Sequence, residues 1–388
     1  MVKRPTLRGM STSCVDVRTD TITRPTAPML ETCLTTPLGD DVFQEDPTVK
    51  LMQDHLKNRF RKEAALFFPS GTMSNLCGIL AHCNVRGSEM ITGANSHLAL
   101  YEAGNVSTVG GVHSKQLQED PLTGELSIQQ IRENIRGDDQ HYPISRVVCI
   151  ENTHNVMGGT PIRTSYFAEL RNMIDLVNTD KTGGVGRAGT YHYVNRTDHD
   201  DRNVAIHVDG ARIFNAAESL NEDVGDMCAD VDSISVCLSK GLGAPVGSVL
   251  VGDYRTIEKA RRVRKALGGG MRQSGVLAAM GLYALENNVE RLRLDRERAI
   301  YLSTVMEESG FILSPSGTPS SNLLYFAPPP HSKKSHNDVV AEFLENNVLL
   351  GGGYQGGRFL RLCLNLTVDE AGVETIEKAI RAIGKNLS

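Results

Sequence analysis

The chain has 388 residues, a formal net charge of −5, 40% hydrophobic residues and 22% charged residues. That composition belongs to a soluble globular protein, and the length predicts one large domain with a smaller one. The acidic balance, without any basic block, excludes nucleic acid as the expected partner, and the apolar runs are too short to cross a bilayer.

Residues 1–14 carry Lys3, Arg4 and Arg8, and the first acid is Asp16. A disordered start is expected there, with a weak organellar transit peptide as the alternative. The eight cysteines are scattered without C-x-x-C or zinc-ligand spacing. Reduced core thiols in the cytoplasm are the expectation, with no metal site. Without a secretory apolar core, Asn195-Arg196-Thr197 is not expected to carry a glycan.

Residues 15–26 are too polar for a buried strand and read as an ordered arm. Residues 38–48 are acidic and turn-rich, and a helix starts near Pro47. A strand at 64–68 runs into Pro69-Ser70-Gly71-Thr72 and then a helix over 73–83. A glycine turn that delivers hydroxyls and free amides to a helix start can hold a phosphate. It can equally be an ordinary Ser/Thr cap. His97 lies among short strands and turns. A helix at 128–135, a buried strand at 147–150 and a helix at 167–177 continue the alternation of an α/β sheet with mostly parallel strands.

Residues 178–203 form a long polar, glycine-rich segment. It contains Gly184-x-Gly186-x-x-Gly189, with Asp209 twenty residues on. The dinucleotide reading fails because that motif must open a helix, and Thr190–Asn195 has no helical period.

A strand at 204–208 ends in Asp209-Gly210-Ala211-Arg212. Two further apolar runs, 234–238 and 248–251, flank Ser239-Lys240 and a Gly/Ala/Pro turn. Ligands of open α/β sheets bind at the carboxyl ends of strands, so Asp209, Arg212 and Lys240 are expected to share one crevice. A lysine at such a mouth can act as a nucleophile toward a carbonyl. A surface lysine beside a turn is the plain alternative. A basic helix covers 257–267, and a long helical pattern covers 276–305. The small domain holds strands at 322–326 and 358–365, a helix at 337–346, and a capping box, Thr367-x-x-Glu370, for the last helix. The expected organisation is a disordered start at 1–14, a three-layer α/β domain at 15–285 and an α+β domain at 286–388.

Pyridoxal phosphate would suit this crevice. It needs a lysine for its aldehyde, a carboxylate for its ring nitrogen and donors for its phosphate. Lys240, Asp209 and Ser70-Gly71-Thr72 offer these, with His97 a candidate for the ring face. Arg361, inside an apolar strand, is costly unless it meets an anion, and with Arg212 it is a candidate for a substrate carboxylate.

The blocks 17–26, 39–48, 69–75, 151–155 with Gly158-Gly159, 207–215, 238–252 and 267–273 together resemble the low-specificity L-threonine aldolases. Those are fold-type-I pyridoxal-phosphate enzymes of the β-eliminating lyase group. The resemblance implies that Lys240 forms the Schiff base, Asp209 pairs with the ring nitrogen and His97 stacks on the ring. It implies that Gly71 and Thr72 hold the phosphate, that Arg212 contacts the cofactor's ring substituents and the substrate carboxylate, and that Arg361 is the main carboxylate clamp, with Thr19 keeping a further carboxylate contact. Lys265 and Arg272 would reach a neighbouring subunit's phosphate in a homotetramer with active sites at a subunit interface. His141 would lie near the substrate hydroxyl, and His141 or His97 would be the base. The implied reaction is cleavage of L-threonine or L-allo-threonine to glycine and acetaldehyde. Another fold-type-I lyase or a transaminase is the alternative. Thr19 stands where the family commonly has Ser, and Phe43-Gln44 where many relatives have Tyr-Gly.

Overall fold

The computed structural model describes residues 14–136, 140–179, 203–314, 317–354 and 356–387. The start at 1–13, the Gly184–Gly189 motif and the Asn195 tripeptide lie outside the described residues. Asn178 and Val204, on either side of that segment, are tied by two hydrogen bonds of 2.8 and 3.1 Å.

Seven strands form the central sheet. In spatial order they are Ala64–Phe68, Ser248–Gly252, Ser233–Cys237, Ala205–Gly210, Ile144–Glu151, Ser88–Gly93 and His113–Leu117. Ser248–Gly252 runs antiparallel to both of its neighbours, and the pairings from Ser233–Cys237 to His113–Leu117 are parallel. Alternate residues of one strand feed different cores. Val148 and Ile150 pack with Ile206, Val208 and the helix Thr164–Thr179, while Val147 and Cys149 pack with Met90, Leu76 and Ile79. A strand buried on both faces must be apolar throughout, which is why these strands read as continuous runs. Helices on both faces make the body three-layered.

A second core surrounds a four-stranded antiparallel sheet, ordered Gly351–Tyr354, Phe359–Cys363, Leu323–Ala327 and Ile312–Leu313. Helices Leu292–Glu308, His336–Glu345 and Glu370–Gly384 pack against it. The arm joins this second core: Val15–Asp16 pairs in parallel with Val348–Leu349, and Val17 is fully buried there.

Two local expectations are corrected. The helical pattern over 276–305 is two helices, Gly275–Asn287 and Leu292–Glu308. The break falls at Asn288, whose buried amide donates to Leu242 O at 2.7 Å and so belongs to the Lys240 loop rather than to a helix face. The last helix is capped by Asp369, which accepts from the Gly372 amide at 2.8 Å. Thr367 turns its hydroxyl to Asn365 instead, so Thr367-x-x-Glu370 is not a capping box.

Candidate active site

Glu151 and Asp209 are paired at the carboxyl ends of adjacent strands, and Asp209 pairs with Ser235 on the next. Lys240 stands three residues beyond that third strand. Its loop is closed by Gly243 N–H to Lys240 O at 2.8 Å and Ala244 N–H to Leu238 O at 3.1 Å. Gly243 adopts φ +81°, a left-handed conformation that glycine takes without strain. Lys240 is half-buried and close enough to Asp20 and His97 to act on both electrostatically.

Asp209 is buried and accepts from the Ala211 amide at 3.2 Å. His97 opens a short helix, His97–Leu100, capped by Ser96. Its backbone amide donates to Glu151 Oε2 at 2.6 Å, which fixes the helix to the strand end. The His97 ring places Nδ1 2.9 Å from Glu102 Oε1 and 4.0 Å from Asp209 Oδ2. Burial works against a charged imidazole here, but Glu102 and Asp209 outweigh it and raise the His97 pKa. Burial and the nearby Asp209 also push the Glu102 carboxyl up, against the pull of His97. The donor atoms of His97, Glu102 and Asp209 lie within 4.8 Å of one another, as a small metal site would require. The 2.9 Å contact already shares a proton, so the cluster is a hydrogen-bonded group.

Arg212 is held by a bidentate pair: Nε and Nη2 each lie 2.8 Å from a carboxylate oxygen of Asp20. Both side chains are buried. Burial alone would push the Asp20 carboxyl up, but Arg212, Lys240 and Asn322 outweigh it and hold it far below the usual range. Two of the three guanidinium nitrogens of Arg212 are therefore committed to the protein. Arg361 Nη1 donates to Asn155 Oδ1 at 2.9 Å and Nη2 to Arg18 O at 3.0 Å. Its guanidinium lies 4.1 Å over the Tyr354 ring, and its buried Nε has no partner among the described residues. A buried donor left unpaired next to a cationic face is a place for an anion.

The helix Gly71–His82 supplies the other anion site. Ser70 caps it, with Oγ accepting from Met73 N–H at 3.2 Å, and the Gly71 and Thr72 amides belong to the first turn, which has no acceptor within the helix. Ser248 Oγ is buried without a partner among the described residues, and a Cβ added at Gly71 would come within 3.3 Å of it. A side chain at 71 would fill this cradle. The donor set fits pyridoxal phosphate: an amine at Lys240, a carboxylate at Asp209, and phosphate donors at Gly71 and Thr72.

The structure thus brings Lys240, Asp209 and His97 together and ties Arg212 to them through Asp20, with Arg361 reaching Asn155. Thr19 caps the turn Asp20–Ile22 by accepting from Thr21 N–H. Arg272 is exposed and pairs with Asp40 at 2.9 Å, and exposed Lys265 lies beside Gly270. His141 stands elsewhere. It is exposed just before Ile144, at the opposite end of the strand from Glu151, a span of about 23 Å. Within this chain it is therefore not part of the group gathered at the Glu151 end. His154 is the histidine that this strand end carries. It is buried, with Nε2 3.2 Å from Glu119 Oε1. Burial opposes its charge, but Glu151 and Glu119 raise its pKa. Asp20, Glu102, Asn155 and Glu151 also went unassigned by sequence reasoning. Position offered one signal: Glu151 and Asn155 flank His154 at a strand end.

The family model described as Beta-eliminating lyase matches residues 16–327. Low-specificity L-threonine aldolase 1 of Arabidopsis thaliana is 39% identical over 338 residues, covering 87% of this chain and 87% of that protein. Low specificity L-threonine aldolase of Escherichia coli (strain K12) is 40% identical over 296 residues, covering 76% and 80%. Among solved structures, a threonine aldolase of Leishmania major superposes with a TM-score of 0.75 at 18% identity, covering 95% of this chain and 99% of that one. The last likeness shows the fold, and the first three show descent: the chain belongs to the beta-eliminating lyase family.

Proposed function

We propose that the protein is a pyridoxal-phosphate enzyme that cleaves L-threonine, L-allo-threonine and similar β-hydroxy-α-amino acids to glycine and an aldehyde. The observation that carries this reading is the convergence of Lys240, Asp209 and His97 at strand ends with two arginines nearby. The names of the relatives supply the substrate class.

The bound cofactor supplies an electron sink for the bond that breaks. Lys240 offers the amine that holds the aldehyde carbon. Asp209 would hold the proton of the ring nitrogen, and Gly71 and Thr72 would bind the phosphate through their amides. Arg361 meets the substrate carboxylate through the Nε edge, with Arg212 and the Thr19 hydroxyl beside it. In the overall change, the β-hydroxyl loses its proton as the aldehyde forms, and Cα gains one to become glycine. His97 Nε2 faces away from the Glu102 contact and is the group assigned to the hydroxyl proton. Such a base contributes about 10²–10⁴-fold.

We further infer a cytoplasmic homo-oligomer in which Lys265 and Arg272 serve a neighbouring copy. Exposed Leu34, Phe43 and Leu51 favour burial against another subunit. No helix among the described residues is long and apolar enough to cross a membrane.

The test is a visible absorbance spectrum of purified wild type against Lys240→Ala, with products from threonine and allo-threonine measured alongside. Wild type should show a band that borohydride abolishes, and should release glycine and acetaldehyde. The variant should lack the band. Colourless wild type that pyridoxal phosphate cannot reconstitute would defeat the proposal, and release of pyruvate or ammonia would move it to another lyase or a transaminase.

A further inference from the structure

We propose that Glu102 is the positioning residue of His97: it holds Nδ1 protonated and turns Nε2 toward the substrate. The inference rests on the aldolase reading only for what His97 does next.

The geometry begins with a carboxylate that has been given nothing but donors. Glu102 is 2% exposed. Its Oε1 lies 2.9 Å from His97 Nδ1 and accepts from Asn75 Nδ2 at 2.9 Å, while Oε2 lies 3.4 Å from Asn105 Nδ2. A carboxylate met by three donors is held as an acceptor, so the proton of the His97 contact sits on the ring.

The orientation of Asn75 is fixed in turn. Its Oδ1 meets His207 Nε2 at 3.2 Å, so that nitrogen must carry hydrogen. Burial drives the His207 pKa down to about 3, so this ring is neutral and its Nδ1 is an acceptor. Ser233 Oγ, 2.8 Å from Nδ1, donates to it and accepts from His82 Nε2 at 2.8 Å. The polarity therefore runs one way, from His82 through Ser233, His207 and Asn75 to Glu102. With Glu102 an acceptor, Asn75 turns its amide NH2 to it, and every other member of this chain can be satisfied in that same sense. His207 lies two residues before Asp209 on the same strand and so on the same face. A Cβ at Gly78 would approach its Cε1 to 2.9 Å, which shows how closely the helix covers this network.

The charges around His97 from other elements are Asp209 at 4.0 Å, Lys240 from its loop, and Glu151, which accepts the backbone amide. The Tyr101 ring lies 5.7 Å from the imidazole. Glu102 is the carboxylate in hydrogen-bond contact with the ring, so it sets which nitrogen is free.

Glu102→Gln tests this without disrupting packing. The Gln oxygen can replace Oε1, and its amide can meet Asn105, whose buried Oδ1 has no partner among the described residues and can turn to accept. In the holoenzyme we expect kcat to fall about 10- to 100-fold, with KM for threonine within about twofold. The second readout is independent of the reaction. Diethylpyrocarbonate acylates neutral imidazole, and peptide mass spectrometry follows His97 as pH is varied. Half-modification should move to lower pH in Glu102→Gln. Glu102→Asp keeps the charge but withdraws it, so kcat should lie between the two and the modification profile should stay near wild type. This second variant carries the test if the first does not fold. An unchanged His97 profile and unchanged kcat in Glu102→Gln overturn the proposal. Wild type that modifies as expected but releases no aldehyde sinks the aldolase reading and leaves the Glu102–His97 assignment supported.

Discussion

Replacing Asp20 by Asn isolates the buried pair that orients Arg212. Asp20 accepts from Arg212 at 2.8 Å twice and from Asn322 Nδ2 at 3.1 Å, with its side chain fully buried. The amide keeps the shape, removes the charge and turns a donor toward other donors. Breaking a buried ion pair from one side costs about 3–5 kcal/mol, because the remaining charge stays buried and unpaired. That is about 200- to 5,000-fold in the ratio of folded to unfolded protein. Urea unfolding at one fixed protein and cofactor concentration would read it as a lower midpoint with an unchanged slope. The double variant Asp20→Leu with Arg212→Met removes both charges and should recover much of the midpoint while remaining inactive. A midpoint equal to wild type in Asp20→Asn, or a double variant no more stable than the single one, would refute the reasoning. The pH dependence has a definite sign. Asp20 is held below its unfolded value, so its contribution is fully present above that value and is lost as pH falls through the folded one. The pair should be intact from about pH 5 upward and fail only in acid below about pH 4.

Arg361→Lys should raise KM for threonine about 10- to 150-fold, the equivalent of 1.5–3 kcal/mol for a lost charge-assisted hydrogen bond. A lysine cannot reach Asn155, Arg18 O and a carboxylate together, so the charge alone does not rescue binding. Steady-state kinetics check this, and an unchanged KM would remove Arg361 from the carboxylate site. His141→Ala should leave kcat/KM within about twofold, the scale of a surface change. A loss of 100-fold or more would return His141 to the site.

The strand-end residues were legible because one physical rule covers them. Apolar runs ending in Asp209-Gly210-Ala211-Arg212 and Ser239-Lys240 announce buried strands, and side chains at their carboxyl ends must face a common crevice. Arg361 was legible for a related reason, a charge inside an apolar strand that must be paired. Asp20 and Glu102 were not, because nothing local distinguishes them from surface acids. Asp20 finds Arg212 192 positions away, and Glu102 finds Asn75 27 positions away. His141 rests on the family resemblance alone, and in this chain it stands at the far end of its strand from Glu151. In a parallel sheet the two ends of one strand are different places, and only the end bearing Glu151 meets Asp209. The break at Asn288 was hidden for the opposite reason: the flanking helices keep an apolar pattern, while the interruption serves a loop 46 positions earlier.

The arrangement divides the site between two cores and uses the arm to join them. Lys240, Asp209 and His97 stand on the larger body, and Arg361 stands on the smaller sheet. Val15–Asp16 pairs with Val348–Leu349 of the smaller core, and four residues on Asp20 grips Arg212 of the larger. Arg18 O and Asn155 take the two ends of Arg361, and the Tyr325 hydroxyl donates to Asn155 O at 2.8 Å. The distance between Lys240 and Arg361, the residues proposed for the cofactor and the carboxylate, is therefore set by contacts of the arm and of Asn155. A misplacement of 1 Å at a reacting centre can cost about 10²-fold. Loss of Asp20 should thus depress kcat as well as stability, and should do so even in denaturant-free buffer where the protein remains folded.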